Sequence, residues 1–292
     1  MKKLAIIGPT ASGKTALAIK TAKKIDAYIL SIDSLSIYKE IDIVSAKPSK
    51  EEMGGVKHFG IDVLRPDEHF SVDILISIYK QVKKRCEEDN KNLIIVGGTS
   101  FYLKSLLSGL STLPNITPKI RKKVTSDLKD LKNSYEKLVK LDPLYMSNIS
   151  PFDSYRIEKA LLIYEASGIC ASQWFKQNPP KKIIEDLDIY NIKVDREVLR
   201  DRISKRTREM LHLGLIDEVC FLERKYTRVP NSMGAIGIVE VLEYVDGKVS
   251  KEEMLQNIST HTAQLAKRQD TFNRTQFKNT ISASLDELYT TL

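Results

Sequence analysis

Gly8-Pro9-Thr10-Ala11-Ser12-Gly13-Lys14-Thr15 satisfies every fixed position of the G-x-x-x-x-G-K-[ST] phosphate-binding loop. Successive N–H groups of such a loop, followed by a helix N-terminus, make a concave anion site. Lys14 adds a point charge, and the Thr15 hydroxyl can reach a magnesium ion. Residues 8 to 15 are therefore expected to cradle a diphosphate, and any diphosphate meets the requirement. The loop leaves open a triphosphatase, a small-molecule kinase, and an enzyme whose diphosphate departs as a leaving group. Two further polar groups stand where chemistry is done: the carboxylate of Asp33, followed by Ser34, and the hydroxyl of Thr99 after Gly97-Gly98.

The elements that must carry these groups are legible around them. Residues 4–7 are a short apolar run suited to a buried parallel strand, and 16–24 read as helix. Residues 28–32 form a second strand that delivers Asp33 at its carboxyl end, the edge where open α/β sheets bind ligands. Ser45-Ala46-Lys47-Pro48 reads as a loop with an exposed lysine. A helix runs from the N-cap Ser71 to about Glu88, with Ile74, Ile78, Tyr79 and Val82 on one face. Residues 93–96 are a third strand, ending in two glycines that let backbone approach a ligand beside Thr99. No Asp or Glu ends that strand, so the metal-binding carboxylate of a motor or switch ATPase is missing.

From Pro114 to Asp188 the alternation of strand and helix gives way to helices alone. Pro118, Pro143 and Pro151 mark helix entries, Asp153 caps a helix over 154–166, and Gly168 ends it. This segment carries Arg121, Lys122 and Lys123, and Arg156 and Lys159 are spaced to share a helix face. Residues 189–194 return the chain to the sheet. A long helix then carries Arg196, Arg200, Arg202, Lys205, Arg206 and Arg208, partly balanced by Asp195, Glu197, Asp201 and Glu209. Ser250 and Glu253 form a capping box that opens the last long helix, which bears Ala266-Lys267-Arg268-Gln269. The expected fold is α/β, a P-loop core with a parallel sheet flanked by helices, plus a helical insertion domain. The core spans 1–112 and 189–292, and the insertion 113–188.

The 292 residues carry a net charge of +8, which suits a polyanionic partner. Three scattered cysteines and four scattered histidines give no disulfide framework, redox pair or metal cluster. The apolar run behind Met1-Lys2-Lys3 is too short for a signal peptide and no stretch approaches a membrane span, so a cytoplasmic protein without membrane contact is expected.

Taken together, five stretches resemble the bacterial tRNA dimethylallyltransferase family. They are residues 8 to 15, Asp33-Ser34 with Ile37-Tyr38, Ala46-Lys47-Pro48, Val96-Gly97-Gly98-Thr99 with Tyr102, and Ala266-Lys267-Arg268-Gln269. The resemblance covers nearly the whole chain. It implies transfer of a dimethylallyl group from dimethylallyl diphosphate to N6 of the adenosine next to the anticodon, in tRNAs reading codons that start with U. In that family the loop holds the donor's diphosphate rather than a nucleotide. The resemblance further implies Asp33, Thr99, Lys14 and Arg206 as catalytic groups, with magnesium on Thr15. It places the anticodon stem-loop of tRNA on Asp33, Ser34, Leu35, Ser36, Thr99, Arg121, Arg156, Lys159, Lys267 and Arg268, in a monomeric enzyme. Departures from the family pattern stand at Ser36, Val44, Ile238, Val239, Ala263 and Phe272, and bear on RNA contacts rather than on the phosphate loop. Two readings compete: a P-loop small-molecule kinase, and an RNA-binding switch without covalent chemistry.

Overall fold

The computed structural model describes all 292 residues and divides into two compact units, residues 1–106 with 184–292, and residues 107–183. In the first, β1 (Lys3–Ile7), β2 (Ala27–Ser31), β3 (His58–Phe59), β4 (Asn92–Val96), β5 (Asp188–Ile192) and β6 (Ile281–Ala283) form one all-parallel sheet in the order β3-β2-β4-β1-β5-β6. A parallel sheet must be covered on both faces, and its strands read as continuous apolar runs for that reason. Leu4 and Ile6 pack with Ile29, Ile94 and Ile192 on one face. Their alternating neighbours Ala5, Ile7, Leu30 and Ile95 are equally inaccessible.

The first face is covered by α1 (Lys14–Ile25) through Leu17 and Ala18, together with Leu288 of the late helix α14 (Leu285–Thr291). Between them in sequence lie α2 (Lys50–Met53), α3 (Val72–Glu88) and α4 (Ser100–Ser108). Helices α5 (Pro118–Asp127), α6 (Leu131–Leu141), α7 (Pro143–Met146), α8 (Ser154–Ser167) and α9 (Ala171–Gln177) make up the second unit. The first unit resumes with α10 (Arg196–His212), α11 (Leu215–Tyr226), α12 (Ile238–Val245) and the long α13 (Lys251–Gln276). Ser71, Thr117, Asp153, Asp195 and Ser250 each cap the helix that follows, and Gly168 closes α8 in the left-handed conformation at φ 72°.

The second unit has its own core, in which Ile157, Leu161 and Leu162 of α8 meet Val124, Leu138 and Met146. Glu165 of α8 accepts from Lys123 of α5 and Lys137 of α6, which ties three helices through one carboxylate. This unit runs from 107 to 183, where 113 to 188 is expected from the sequence, because Asp188 is already paired with Leu4 as the first residue of β5. Pro118 and Pro143 sit in the first turns of α5 and α7 as expected. Pro151 does not enter a helix; it lies in a turn, and α8 begins after Asp153. No helix is long and apolar enough to cross a membrane.

Candidate active site

Because every strand is parallel, the carboxyl ends of β1, β2 and β4 meet at one edge of the sheet, and the predicted groups emerge there. The loop leaves β1 through Gly8 at φ 152°, where a Cβ would come within 3.2 Å of Ile192. It passes Ala11 in the left-handed region at φ 60° and enters α1 through Gly13 at φ 91°. The first helical bond is donated by Leu17 N–H to Gly13 C=O at 3.2 Å. No side chain caps this end, so the N–H groups of Gly13, Lys14, Thr15 and Ala16 have no acceptor in the protein. The hydroxyl of Ser12, fully buried beside them, is unpartnered as well.

Two cations act on one another beside this loop, Lys14 within it and Arg206 of α10. Lys14 Nζ donates to Pro9 C=O at 2.6 Å, and no carboxylate neutralises it. Burial pushes its ammonium down to about 8, opposed by Asp33 and reinforced by Arg206. Of the many basic residues on α10, Arg206 is the one this environment reaches. Burial lowers its guanidinium from the usual value, with Asp33, Glu52 and Glu209 opposing. Open N–H groups and two desolvated cations make a site that is electrostatically incomplete without an anion.

Asp33 lies two residues beyond β2. Its Oδ1 accepts from Leu35 N–H at 2.9 Å and Ser36 N–H at 3.1 Å, an Asx turn that fixes the carboxylate and leaves Oδ2 free. Thr99 Oγ1 accepts from Ser34 N–H at 3.3 Å and donates to Ser34 Oγ at 3.2 Å, so the ends of β2 and β4 are tied together. This closeness needs Gly97, where a Cβ would come within 2.7 Å of Ile32. Ser34 is exposed, Leu35 half-buried and Ser36 buried.

The chain beyond Asp33 is held rigidly. Glu218 of α11 accepts from three successive N–H groups, Asp42, Ile43 and Val44, at 2.8–3.0 Å. Lys47, expected to be exposed, has a side chain only 6% exposed and reaches Tyr38 C=O, Asp42 and Asp62 at 2.5–2.6 Å. Its partners come from both sides of the loop, so the local sequence does not announce them.

Beside the loop, Leu199 and Ile203 of α10 and Ala266 of α13 make an apolar cluster against Ala11. A cavity of about 1000 Å³ opens over it and touches the loop at Pro9. Lys267 lines it and is exposed, as is Arg268. In the second unit Arg121 and Arg156 are exposed; Arg156 lies 3.4 Å from Asp153, and Lys159 lies over the Tyr155 ring. Gln269 of α13, absent from the expected site, reaches the loop and bonds Thr10 N–H at 2.8 Å. Its place in the Ala266-Lys267-Arg268-Gln269 stretch was the signal that could have found it. No group of three or more His, Cys, Asp or Glu residues is arranged to hold a metal ion. A magnesium ion bound mainly through diphosphate oxygens and water needs only one or two protein oxygens, and the Thr15 hydroxyl, exposed on the first turn of α1, is of the type that could supply one.

Residues 36–276 match the family model described as IPP transferase. The chain is 64% identical to the tRNA dimethylallyltransferase of Sulfurimonas denitrificans, over 99% of this chain and 97% of that one. It is 58% identical to the enzyme of the same name from a Sulfurovum species, over 99% and 96%. The crystal structure of a tRNA isopentenylpyrophosphate transferase from Staphylococcus epidermidis aligns with a TM-score of 0.70 at 33% identity, over 100% and 98% of the two chains. A eukaryotic dimethylallyltransferase acting on tRNA aligns with a TM-score of 0.86 at 25% identity, over 98% of this chain and 75% of that one. None of these relatives is a kinase.

Proposed function

The chain belongs to the IPP transferase family, and we propose on that footing that it is a tRNA dimethylallyltransferase. It moves the dimethylallyl group from dimethylallyl diphosphate to N6 of the adenosine next to the anticodon, in tRNAs reading codons that begin with U. The observation that carries this reading is the phosphate loop with four unpartnered N–H groups, Gly13 to Ala16, together with the buried Lys14 and the nearby Arg206, neither in an ion pair with a carboxylate.

In the reaction the bond between the allylic carbon and the diphosphate oxygen breaks, and a bond from that carbon to N6 forms. The carbon is cation-like in the transition state and negative charge builds on the diphosphate. The loop N–H groups, the Ser12 hydroxyl, Lys14 and Arg206 stabilise that charge where it develops. Magnesium held through Thr15 would supply further neutralisation of the same oxygens. The apolar cluster against Ala11 suits the hydrocarbon end of the donor. Asp33, with Oδ1 fixed by its turn, takes the N6 proton on Oδ2. Thr99 orients the adenine through the β2–β4 tie. An exocyclic amine whose lone pair is delocalised into the ring is a poor nucleophile, so positioning counts heavily. The adenine leaves its stack to reach the pocket. Arg121, Arg156 and Lys159, with Ser34, Leu35, Ser36, Lys267 and Arg268, meet the anticodon arm, in the cytoplasm. All these groups come from one chain, which suits a monomer.

The test incubates the protein with unmodified tRNA, magnesium and dimethylallyl diphosphate, then digests the RNA and weighs its nucleosides. A prenylated adenosine is expected, and ATP does not replace the donor. Asp33→Asn is expected to bind both substrates and to slow single-turnover transfer by about a hundredfold to ten-thousandfold. Stabilisation of the protein by ATP but not by the prenyl donor, with no prenylated nucleoside, would overturn the reading.

A further inference from the structure

Gln269 is part of neither the diphosphate site nor the acceptor site described above, yet it touches both. Its Oε1 accepts the Thr10 N–H at 2.8 Å, from 259 residues away in sequence. The assignment of the amide is fixed, because only the oxygen can accept from an N–H. Its Nε2 lies against Gly98, where a Cβ would come within 2.5 Å of it. Gly98 immediately precedes Thr99, so one side chain wedges between the phosphate loop and the strand end that carries the acceptor-side hydroxyl.

The Thr10 N–H and the Pro9 C=O are the two ends of a single planar peptide group. At the carbonyl end sit Lys14 Nζ at 2.6 Å and Ser12 N–H at 3.3 Å. Fixing the N–H end therefore fixes the direction of the carbonyl, and with it the place of the Lys14 ammonium. Among the loop donors the Thr10 N–H is spent inside the protein, while those of Gly13 to Ala16 remain open. The side chain that spends it rides on α13, next to the exposed Lys267 and Arg268.

We infer that Gln269 is a positioning residue which holds the Pro9–Thr10 peptide so that Lys14 meets the diphosphate, and which makes diphosphate binding and RNA binding interdependent through α13. The inference rests on the transferase reading for its RNA half; the diphosphate half stands on the loop geometry alone. A shift of α13 on engaging RNA moves Gln269, and the peptide it holds moves with it. By reciprocity, diphosphate on the loop changes the affinity for RNA by the same factor.

The experiment uses the full chain with inorganic pyrophosphate and magnesium as the probe, titrated calorimetrically with and without saturating tRNA. Gln269→Leu removes the acceptor oxygen. Gly98→Ala displaces the same side chain without altering its chemistry, and decides the matter alone if Gln269→Leu does not fold. Each variant is expected to weaken pyrophosphate binding about tenfold, the size of a lost neutral hydrogen bond. Each is expected to raise the donor KM by more than it lowers kcat, and to erase the difference in pyrophosphate affinity between RNA-free and RNA-bound protein. The double variant is no worse than either single one, because both break one contact. Unchanged pyrophosphate affinity in a folded variant, an RNA effect on that affinity that survives, or losses that simply add would each overturn the inference. If pyrophosphate binding weakens as expected but the wild-type chain modifies no tRNA, the transferase reading falls and the loop-positioning half stands.

Discussion

Lys14 carries its charge in surroundings that disfavour it. Burial of an ammonium disfavours its charge, and the Asp33 carboxylate and the bond to the Pro9 carbonyl offset only part of the loss. The free protein therefore gives up the Lys14 proton as pH rises through about 8. A diphosphate on the loop favours the charged form and raises that value, so the donor binds the protonated protein more tightly. The sign follows: donor affinity is at its full value below about pH 8 and falls as pH climbs past it. Calorimetric titration against pH should show this fall, and Lys14→Met should abolish it while weakening binding by about tenfold to a hundredfold. A pH profile that is the same in Lys14→Met would assign the titration elsewhere. The spacing of residues 8 to 15 made Lys14 legible in the sequence, as strand ends made Asp33 and Thr99. Arg206 is one basic residue among many on its helix by spacing alone, and only the family resemblance singles it out in the sequence. Gln269 lies too far along the chain for any local pattern to connect it with Thr10.

Among elements, the segment after Asp33 is the one whose order is least local. It has little regular structure, yet Glu218 takes up three of its N–H groups and Lys47 crosslinks Tyr38, Asp42 and Asp62. Glu218→Ala leaves those three N–H groups without an acceptor, at a cost of about 1–3 kcal/mol for unmade hydrogen bonds. Amide exchange measured by mass spectrometry should accelerate over residues 41–46 and stay slow in β1 and β4; equal exchange in both proteins would show that the carboxylate is dispensable to the loop. Sequence patterns located the capped helices well because Ser71, Asp153 and Ser250 act within three residues of themselves. They failed for β3 and β6, which have two and three residues and hence no period to read. They also misjudged Lys47, since a loop rich in polar residues reads as solvated whichever way its lysine turns.

Across the whole molecule the +8 charge is not evenly spent. Lys123 and Lys137 are committed to Glu165, whereas Arg121 is exposed without an ion pair, and Arg156 and Lys159 have only loose partners. Replacing Arg121, Arg156 and Lys159 with alanine should weaken tRNA binding and flatten its dependence on salt by about two units of log–log slope. Donor binding should not change; an unaltered salt slope would return these side chains to ordinary solvated surface. The division into a sheet-bearing unit and a helical one could be read from the loss of strands after Pro114. Its boundaries could not, because they fall where Ile184 N–H donates to Leu106 C=O, a contact between residues far apart in sequence. The first unit closes late. Leu285 packs so near Gly13 that a Cβ there would come within 2.8 Å of it, and Leu288 is buried against α1. A ribosome makes the residues that seat the loop's helix more than two hundred codons after the loop itself. During translation the nascent chain thus carries the loop's sequence for a long interval without the α14 side chains that pack beside it.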